Sequence, residues 1–274
     1  VLLGYEVEWR KEPLESHDMD CYIFMWCDEQ LRSFLSSRNV PKSKVIAFLR
    51  RYEFYHFQLE EYDWDKCDAV ICVNDFLAGG FHARTGVMPH ILYNAVNPDE
   101  WTYRERGHGK DIAWVGFVNQ KKNLPLALQI LHALGGGHRL HIAGGIQDMT
   151  TVDYCMNLAE KLRLKIRFYG HIQDIDSFLE DKNYLLSTAI SEGCPNNVIE
   201  AMAKGIKPVV HNWPGCMEQF RLYAFDTVQE AVSAIHDASP YHSHAYRNLV
   251  ESKFGPRNFR RFRMLVDQVI HGTN

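Results

Sequence analysis

The sequence predicts an α/β protein built on parallel sheets, and three observations carry that prediction. From Asp111 to His211, short apolar runs of strand length alternate with helical patterns, the rhythm of a doubly wound parallel sheet. A coarser version of the same alternation runs from Cys21 to Leu92. Between the two lies a polar stretch with two glycines, 102–110, which has the composition of a linker. At 274 residues the chain is long enough for one large or two modest domains.

In order, residues 21–25 are the first strand candidate and 28–36 a helix with Asp28 as its N-cap. Residues 44–49 form the next strand. Residues 50–65, R-R-Y-E-F-Y-H-F-Q-L-E-E-Y-D-W-D, are dense in aromatics and charge, and are expected to form a helix that packs aromatic residues on one side. A strand at 69–73, a helix at 74–84 capped by Asn74, and a short strand at 89–92 complete the first half.

The second half opens with a strand at 111–115 and a loop at 116–122. A helix at 123–134 follows, with Asn123 as cap and Pro125 in its first turn, where proline is tolerated. The glycines at 135–137 come after a helix, so they form a turn and not a dinucleotide-binding loop. Strands are expected at 139–143, 165–169, 184–188 and 208–211, and helices at 152–162 and 174–180. Residues 241–270 are helical with a break at Gly255-Pro256.

The chemistry concentrates in residues 191–205, S-E-G-C-P-N-N-V-I-E-A-M-A-K-G. They read as a tight Gly/Pro loop that leaves a strand and opens a helix, the place where open α/β sheets bind ligands. Gly193 lets the backbone approach a ligand closely. The amides around Pro195 to Val198, at a helix N-terminus, favour a phosphate or sugar oxygen. Glu192 and Glu200 can accept hydrogen bonds from sugar hydroxyls, and charged acceptors make the stronger bonds. The plainer reading is a capping box from Asn197 to Glu200, with Glu192 as a solvated loop carboxylate. Lys121 and Lys122 sit at the start of the 123–134 helix, the wrong end for a cation in the helix dipole. A diphosphate pocket accounts for them, because an ammonium there balances charge growing on a leaving phosphate.

The frame S-E-G-x-P-x-x-x-x-E-A-M-A-x-G, with Glu192 and Glu200 separated by seven residues, is similar to the signature of the retaining glycosyltransferases of family four, which have the GT-B fold. The likeness extends from Tyr93 to Pro214. It implies a GT-B-like α/β fold, two Rossmann-like parallel-sheet domains facing a cleft, the first one truncated. The domains would be a shortened acceptor-side domain at 1–95, a nucleotide-sugar domain at 96–255, and a last helix at 256–274 crossing back to the first.

The implied activity is transfer of a sugar, with retention, from a nucleotide diphosphate sugar to a hydroxyl acceptor on a glycan, a lipid-linked glycan or a small molecule. Glu192 and Lys122 would be the catalytic residues. The donor site would be lined by Gly116, Phe117, Lys121, Lys122, His171, Ile172, Glu192, Gly193, Cys194, Pro195, Asn196, Asn197 and Glu200. In it Glu192 positions sugar hydroxyls, Glu200 the ribose, and the backbone at His171 and Ile172 the base. Arg51, Tyr52, Glu53 and His56 are the acceptor-side candidates. No cofactor and no metal is implied. The chain departs from the family in three places. Ala95 replaces a glycine of the interdomain turn, and Phe117 stands where an arginine is usual. The glycine-rich opening loop has only residues 1–4 as a remnant. These departures favour one alternative: a catalytically weak or inactive nucleotide- or sugar-binding module of a larger glycan-assembly protein.

Composition is ordinary for a soluble globular protein and narrows the partners. Hydrophobic residues make up 46% and charged residues 23%. A formal charge of −4 offers no broad basic field, so no nucleic-acid partner is expected. Seven cysteines without a C-x-x-C pair argue against a disulfide framework and a zinc site. No apolar run is long enough to span a membrane. A cytoplasmic location is expected, with peripheral membrane association left open.

Overall fold

The computed structural model describes residues 4–10, 19–37 and 43–272. Two compact units divide the chain, one of Val1–Ala95 with Pro256–Asn274 and one of Val96–Gly255. The expected remnant at 1–4 lies outside the described residues except for Gly4.

The first unit is a four-stranded sheet with connecting helices. Its elements are β1 (Cys21–Phe24), α1 (Glu29–Ser37), β2 (Lys44–Leu49), α2 (Arg51–His56), β3 (Ala69–Cys72), α3 (Asp75–Thr85) and β4 (His90–Ile91). The strands are all parallel, in the order β1-β2-β3-β4. Asp28 caps α1 by accepting from Gln30 N at 3.0 Å, and Asn74 caps α3 by accepting from Leu77 N at 2.7 Å.

The predicted helix at 50–65 is much shorter than expected. It stops at His56, and two single 3-10 turns follow, Leu59–Glu61 and Trp64–Lys66. The aromatic side chains explain the break, because each finds its own partner instead of sharing one helix face. Tyr62 donates to Cys27 O at 3.1 Å and Trp64 Nε1 to Leu59 O at 2.7 Å. Arg84 then takes the carbonyls of Phe54 (2.6 Å) and Phe57 (3.0 Å), which the helix end leaves open.

The second unit continues the chain with β5 (Asp111–Val115), α4 (Leu124–Leu134), β6 (Arg139–Ala143), α5 (Met149–Lys161), β7 (Ile166–Gly170), α6 (Ile175–Phe178), β8 (Tyr184–Ser187), α7 (Asn196–Ala203), β9 (Lys207–His211), α8 (Cys216–Phe220), β10 (Ala224–Phe225), α9 (Val228–His236) and α10 (Ser243–Leu249). A π-helical turn, Val250–Phe254, follows α10. After Gly255 comes α11 (Pro256–His271), which belongs to the first unit.

In the first unit β2 shows how its two cores arise. Val45, Ala47 and Leu49 point to one face, against Leu31 and Leu35 of α1 and Phe81 of α3. Ile46 and Phe48 point to the other, against Val266 and Phe262 of α11. Period-two alternation with both faces apolar is the pattern of a parallel strand covered on both sides.

The second unit's six strands are also parallel, in the order β10-β9-β8-β5-β6-β7. The chain builds outward from β5 through β6 to β7, then returns to β8 on the other side of β5. The order reverses between β5 and β8, the topological switch point where doubly wound sheets open a crevice for a ligand.

Three details depart from the sequence expectation. Asn123 does not cap α4; it takes a left-handed conformation at φ 52° with no capping hydrogen bond. Asn119 instead caps the short 3-10 turn before it, Gln120–Lys122, its side chain accepting from Lys122 N at 2.9 Å. The polar stretch at 102–110 is not a loose linker. Arg106 donates to the carbonyls of Lys204 (3.0 Å), Glu180 (2.7 Å) and Lys182 (3.0 Å), binding that stretch to its own unit.

Candidate functional site

The switch point places the loop after β5 beside the loop after β8. Three contacts join them. Thr188 Oγ1 donates to Lys122 O at 3.0 Å, Ile190 N donates to Lys121 O at 3.0 Å, and Lys122 Nζ lies 2.6 Å from Glu192 Oε1. Lys121 Nζ approaches the other oxygen of the same carboxylate at 3.9 Å. Adjacent residues on a tight turn point in different directions, so their meeting at one carboxylate fixes the focus of the site. The Glu192 side chain is only 10% exposed. Its Oε1 is buried and ion-paired, with no contact that meets hydrogen-bond geometry.

Glycines allow this packing. Gly116 has φ 155°, and a Cβ there would lie 3.1 Å from the Lys122 side chain. The lysine therefore passes directly over the backbone. Gly144, at φ 149°, sits so near Gly116 that a Cβ would fall 1.8 Å from its carbonyl oxygen. Gly116 N donates to Ala143 O (2.9 Å), Val118 N to Gly145 O (2.9 Å) and Gly144 N to Gly170 O (2.7 Å). The loops after β5, β6 and β7 thus form one stitched rim at the C-terminal ends of the strands. His171 and Ile172 lie on it just after β7, with His171 exposed. Phe117 is 51% exposed on the same rim, beside Gly145.

The loop after β8 leads into α7 at Asn196, with Pro195 in the cap position. Gly193, Cys194 and Pro195 are buried. Intrahelical bonding begins with Val198 N donating to Pro195 O at 3.2 Å, so the first turn presents its amide end to the switch point. Asn197 makes no capping box. It lies inside the helix, and its Nδ2 donates to Val115 O at 2.7 Å, tying α7 to the end of β5. Freed from that role, Glu200 has no hydrogen-bonding or ion-pairing partner for its side chain among the described residues. Burial lifts its carboxyl above the usual range for a glutamate.

Sequence reasoning missed several residues that hold the site. Thr188 receives Trp114 Nε1 at 3.0 Å while donating to Lys122 O. Gln219, buried on α8, donates to Gly193 O at 2.8 Å. His211 Nδ1 meets Ala189 O at 3.0 Å. Asn119 alone left a trace, an Asx residue three positions before Lys122 in a loop.

The acceptor-side candidates lie on α2, at the C-terminal end of β2 in the first unit. Tyr52 is exposed and stacks on His56 at 4.2 Å. Arg51 lies over the ring of Tyr55 at 5.3 Å. Glu53 is 2% exposed, and its carboxylate accepts from Arg50 N at 3.0 Å. It closes the first turn of α2 and is not available as a surface contact. Among the described residues, no group of three or more His, Cys, Asp or Glu side chains is placed to hold a metal ion.

Comparison with known proteins adds an independent line. Residues 98–238, more than half of the chain, match the family model described as Glycosyl transferases group 1. No curated protein sequence matches the chain. Among solved structures, HepE from Anabaena, in complex with UDP and glucose, aligns at a TM-score of 0.78 and 12% identity over 93% of this chain and 78% of that one. A glycosyltransferase from Rickettsia africae aligns at 0.73 and 14% identity, over 93% and 78%. A variant of S. aureus TarM, in complex with fondaparinux, alpha-GlcNAc-glycerol and UDP, aligns at 0.72 and 14% identity over 84% of this chain and 52% of its own. At such identities the likeness speaks for the fold, which is α/β with two parallel sheets, as in these GT-B proteins.

Proposed function

The chain belongs to the glycosyl transferases group 1 family, and from that premise we propose that it moves a sugar from a nucleotide diphosphate sugar to a hydroxyl acceptor. The observation that carries this reading is the convergence of Lys122, Glu192 and the first turn of α7 at the β5/β8 switch point.

Each group has a role its chemistry suits. An ammonium has three donors, so Lys122 can keep Glu192 and still reach a phosphate oxygen. Lys121 supplies a second cation where the sequence has Phe117 instead of arginine. The turn from Gly193 to Asn197 offers backbone amides to the diphosphate. Glu192 accepts from sugar hydroxyls, and the unpartnered Glu200 from the ribose. The base rests against the backbone at His171 and Ile172. In the reaction the bond from anomeric carbon to phosphate oxygen breaks. The acceptor oxygen bonds to that carbon and releases its proton to solvent, and the charge left on the diphosphate falls on the two lysines and the helix amides. Retention of configuration is part of this proposal and rests on the sequence frame around Glu192 and Glu200. Arg51, Tyr52 and His56 remain the acceptor-side candidates. The lysines fill the part a divalent ion plays elsewhere, so we propose transfer without a metal.

One observation favours a second reading. Phe117 takes the place of a cation, and both remaining lysines approach the one carboxylate of Glu192, which reduces the positive charge left for a diphosphate. A nucleotide-binding module without turnover fits that balance. The two readings separate in one experiment. The protein is incubated with a panel of labelled nucleotide sugars, beginning with UDP-sugars because HepE and TarM hold UDP, and release of nucleoside diphosphate is measured with and without a chelator. Turnover that survives chelation supports the enzyme. Saturable binding without release supports the module.

A further inference from the structure

The loop that leaves β8 is gripped from both flanks, and the two grips differ in kind. Toward β5 the loop gives donors. Thr188 Oγ1 donates to Lys122 O at 3.0 Å, and Ile190 N donates to Lys121 O at 3.0 Å. Toward β9 it gives carbonyls. Ala189 O meets His211 Nδ1 at 3.0 Å, and Gly193 O accepts from Gln219 Nε2 at 2.8 Å. His211 ends β9, and Gln219 lies on α8, the helix that follows it. The strand order β9-β8-β5 puts these two sets of partners on opposite sides of the loop.

A trans peptide points its carbonyl and its N–H in opposite directions. The Ala189–Ile190 peptide does so across the loop, with its carbonyl on His211 and its N–H on Lys121 O. The Gly193–Cys194 peptide is held at its carbonyl from the same flank. Its N–H therefore turns toward β5, the side on which Lys122 Nζ and Glu192 Oε1 lie 2.6 Å apart.

Gln219 is an unexpected residue for its place. It is 2% exposed on a helix of five residues. Its Nε2 also donates to Gly215 O at 3.2 Å. Its Oε1 is buried and has no hydrogen-bond partner among the described residues. A buried polar atom without a partner costs stability, and an apolar side chain of similar volume would fill the space without that cost. Packing alone does not call for an amide here; holding the Gly193 carbonyl does.

From this arrangement we propose that Gln219 is a positioning residue for the diphosphate. By holding Gly193 O it keeps the Cys194 N–H aimed at the pocket of Lys122 and Glu192. An amide fixed in this way meets a charged phosphate oxygen without first having to reorient. The proposal rests on the sugar-transfer reading, because the diphosphate is the ligand that this amide serves. Gln219 itself touches neither substrate nor the reacting atoms.

The test compares the full chain with Gln219→Met and Gln219→Glu. Methionine is close in volume and removes the donors. Glutamate keeps the shape and sets an oxygen against the Gly193 carbonyl. UDP, GDP and ADP are titrated into the parent, and the one bound most tightly is then compared with its own nucleoside in all three proteins. Gln219→Met should bind the diphosphate about tenfold more weakly, the worth of one well-aimed donor to a charged oxygen. It should bind the nucleoside as the parent does. Its Tm should stay near that of the parent, because removing the unpaired Oε1 offsets the bond lost at Gly193 O. Gln219→Glu should lose more diphosphate affinity and no nucleoside affinity. Should either variant melt early, the ratio of diphosphate to nucleoside affinity below its melting point still decides, since general loosening weakens both ligands together. Equal losses for the two ligands, or variants that bind the diphosphate like the parent, overturn the proposal, as does failure of both variants to fold. A parent that binds none of the three diphosphates overturns the sugar-transfer reading itself, and this proposal with it.

Discussion

Lys122 Nζ and Glu192 Oε1 lie 2.6 Å apart, joining loops that follow two neighbouring parallel strands on either side of the sheet's reversal. The pair is mostly shielded from water, so it has both a structural and a chemical consequence. Lys122→Ala leaves a carboxylate nearly buried without its cation. We expect Tm to fall by several degrees, for a cost of about 2 kcal/mol. Turnover should fall about a hundredfold if Lys122 also balances the leaving diphosphate. Thermal denaturation and steady-state rates on the same preparation check both.

Glu200 gives a prediction of opposite sign for stability. Burial raises its carboxyl pKa in the folded state, and no partner offsets this. The native protein then holds that proton more tightly than the unfolded chain does. Stability falls as pH rises from the ordinary glutamate value through the raised one, and the full cost is present at neutral pH. Glu200→Gln should therefore raise Tm of the ligand-free protein at pH 7 and change it little at pH 4. The same substitution should weaken nucleotide binding about tenfold, the worth of a charge-assisted hydrogen bond to a ribose hydroxyl. Melting curves at the two pH values test the first part, and titration with nucleotide tests the second.

The loops above β5 and β6 depend on a glycine pair. Gly144 takes a left-handed backbone angle, and a Cβ there would overlap the carbonyl oxygen of Gly116. Gly144→Ala should cost about 3 kcal/mol or more, because neither backbone can yield without breaking the stitched rim. Gly136→Ala, with open space around its Cα, is the control. Circular dichroism melts should show a large loss for the first and little change for the second.

Much of this was legible in the sequence, and the limits follow physical lines. The strand at Lys44–Leu49 and that at Asp111–Val115 were placed to the residue, because both are continuous apolar runs bounded by polar residues. Asp28 and Asn74 announced their helices as caps. The 50–65 segment misled, because its aromatics fit a helical pattern that single buried partners such as Cys27 O and Leu59 O override. Residues 216–240 had no assignment, although Thr227 and Glu230 form a capping box that starts α9. Lys122 and Glu192 were named from motif chemistry, but nothing in the sequence shows that they meet. Gln219, which grips Gly193 O, left no signal because an interior glutamine has no characteristic spacing.

Lys204 makes a further case of structure hidden in a motif. Its side chain is fully buried at the end of α7, with Nζ 2.5 Å from Asp176 Oδ1 and 3.4 Å from Glu180 Oε2. Burial alone would raise the Asp176 carboxyl. The Lys204 ammonium, with the Thr102 N–H and hydroxyl, outweighs that and holds it below the usual range. Stability from this group is present above the ordinary aspartate value and is lost as pH falls through the lowered one. Lys204→Leu should lower Tm at pH 7 by about 2 kcal/mol in equivalent stability, less than for a fully buried pair because both acids are partly exposed. The acid limb of its stability profile should flatten, which a series of melts from pH 7 to pH 3 would show.

The most direct test is calorimetric titration of UDP, GDP and ADP, and of the nucleosides uridine, guanosine and adenosine, into the parent protein, Lys122→Ala and Glu200→Gln. The account predicts that at least one nucleoside diphosphate binds the parent, that Lys122→Ala weakens the diphosphate more than the nucleoside, and that Glu200→Gln weakens both alike. Binding that is absent from the parent, or unchanged in both variants, would contradict it.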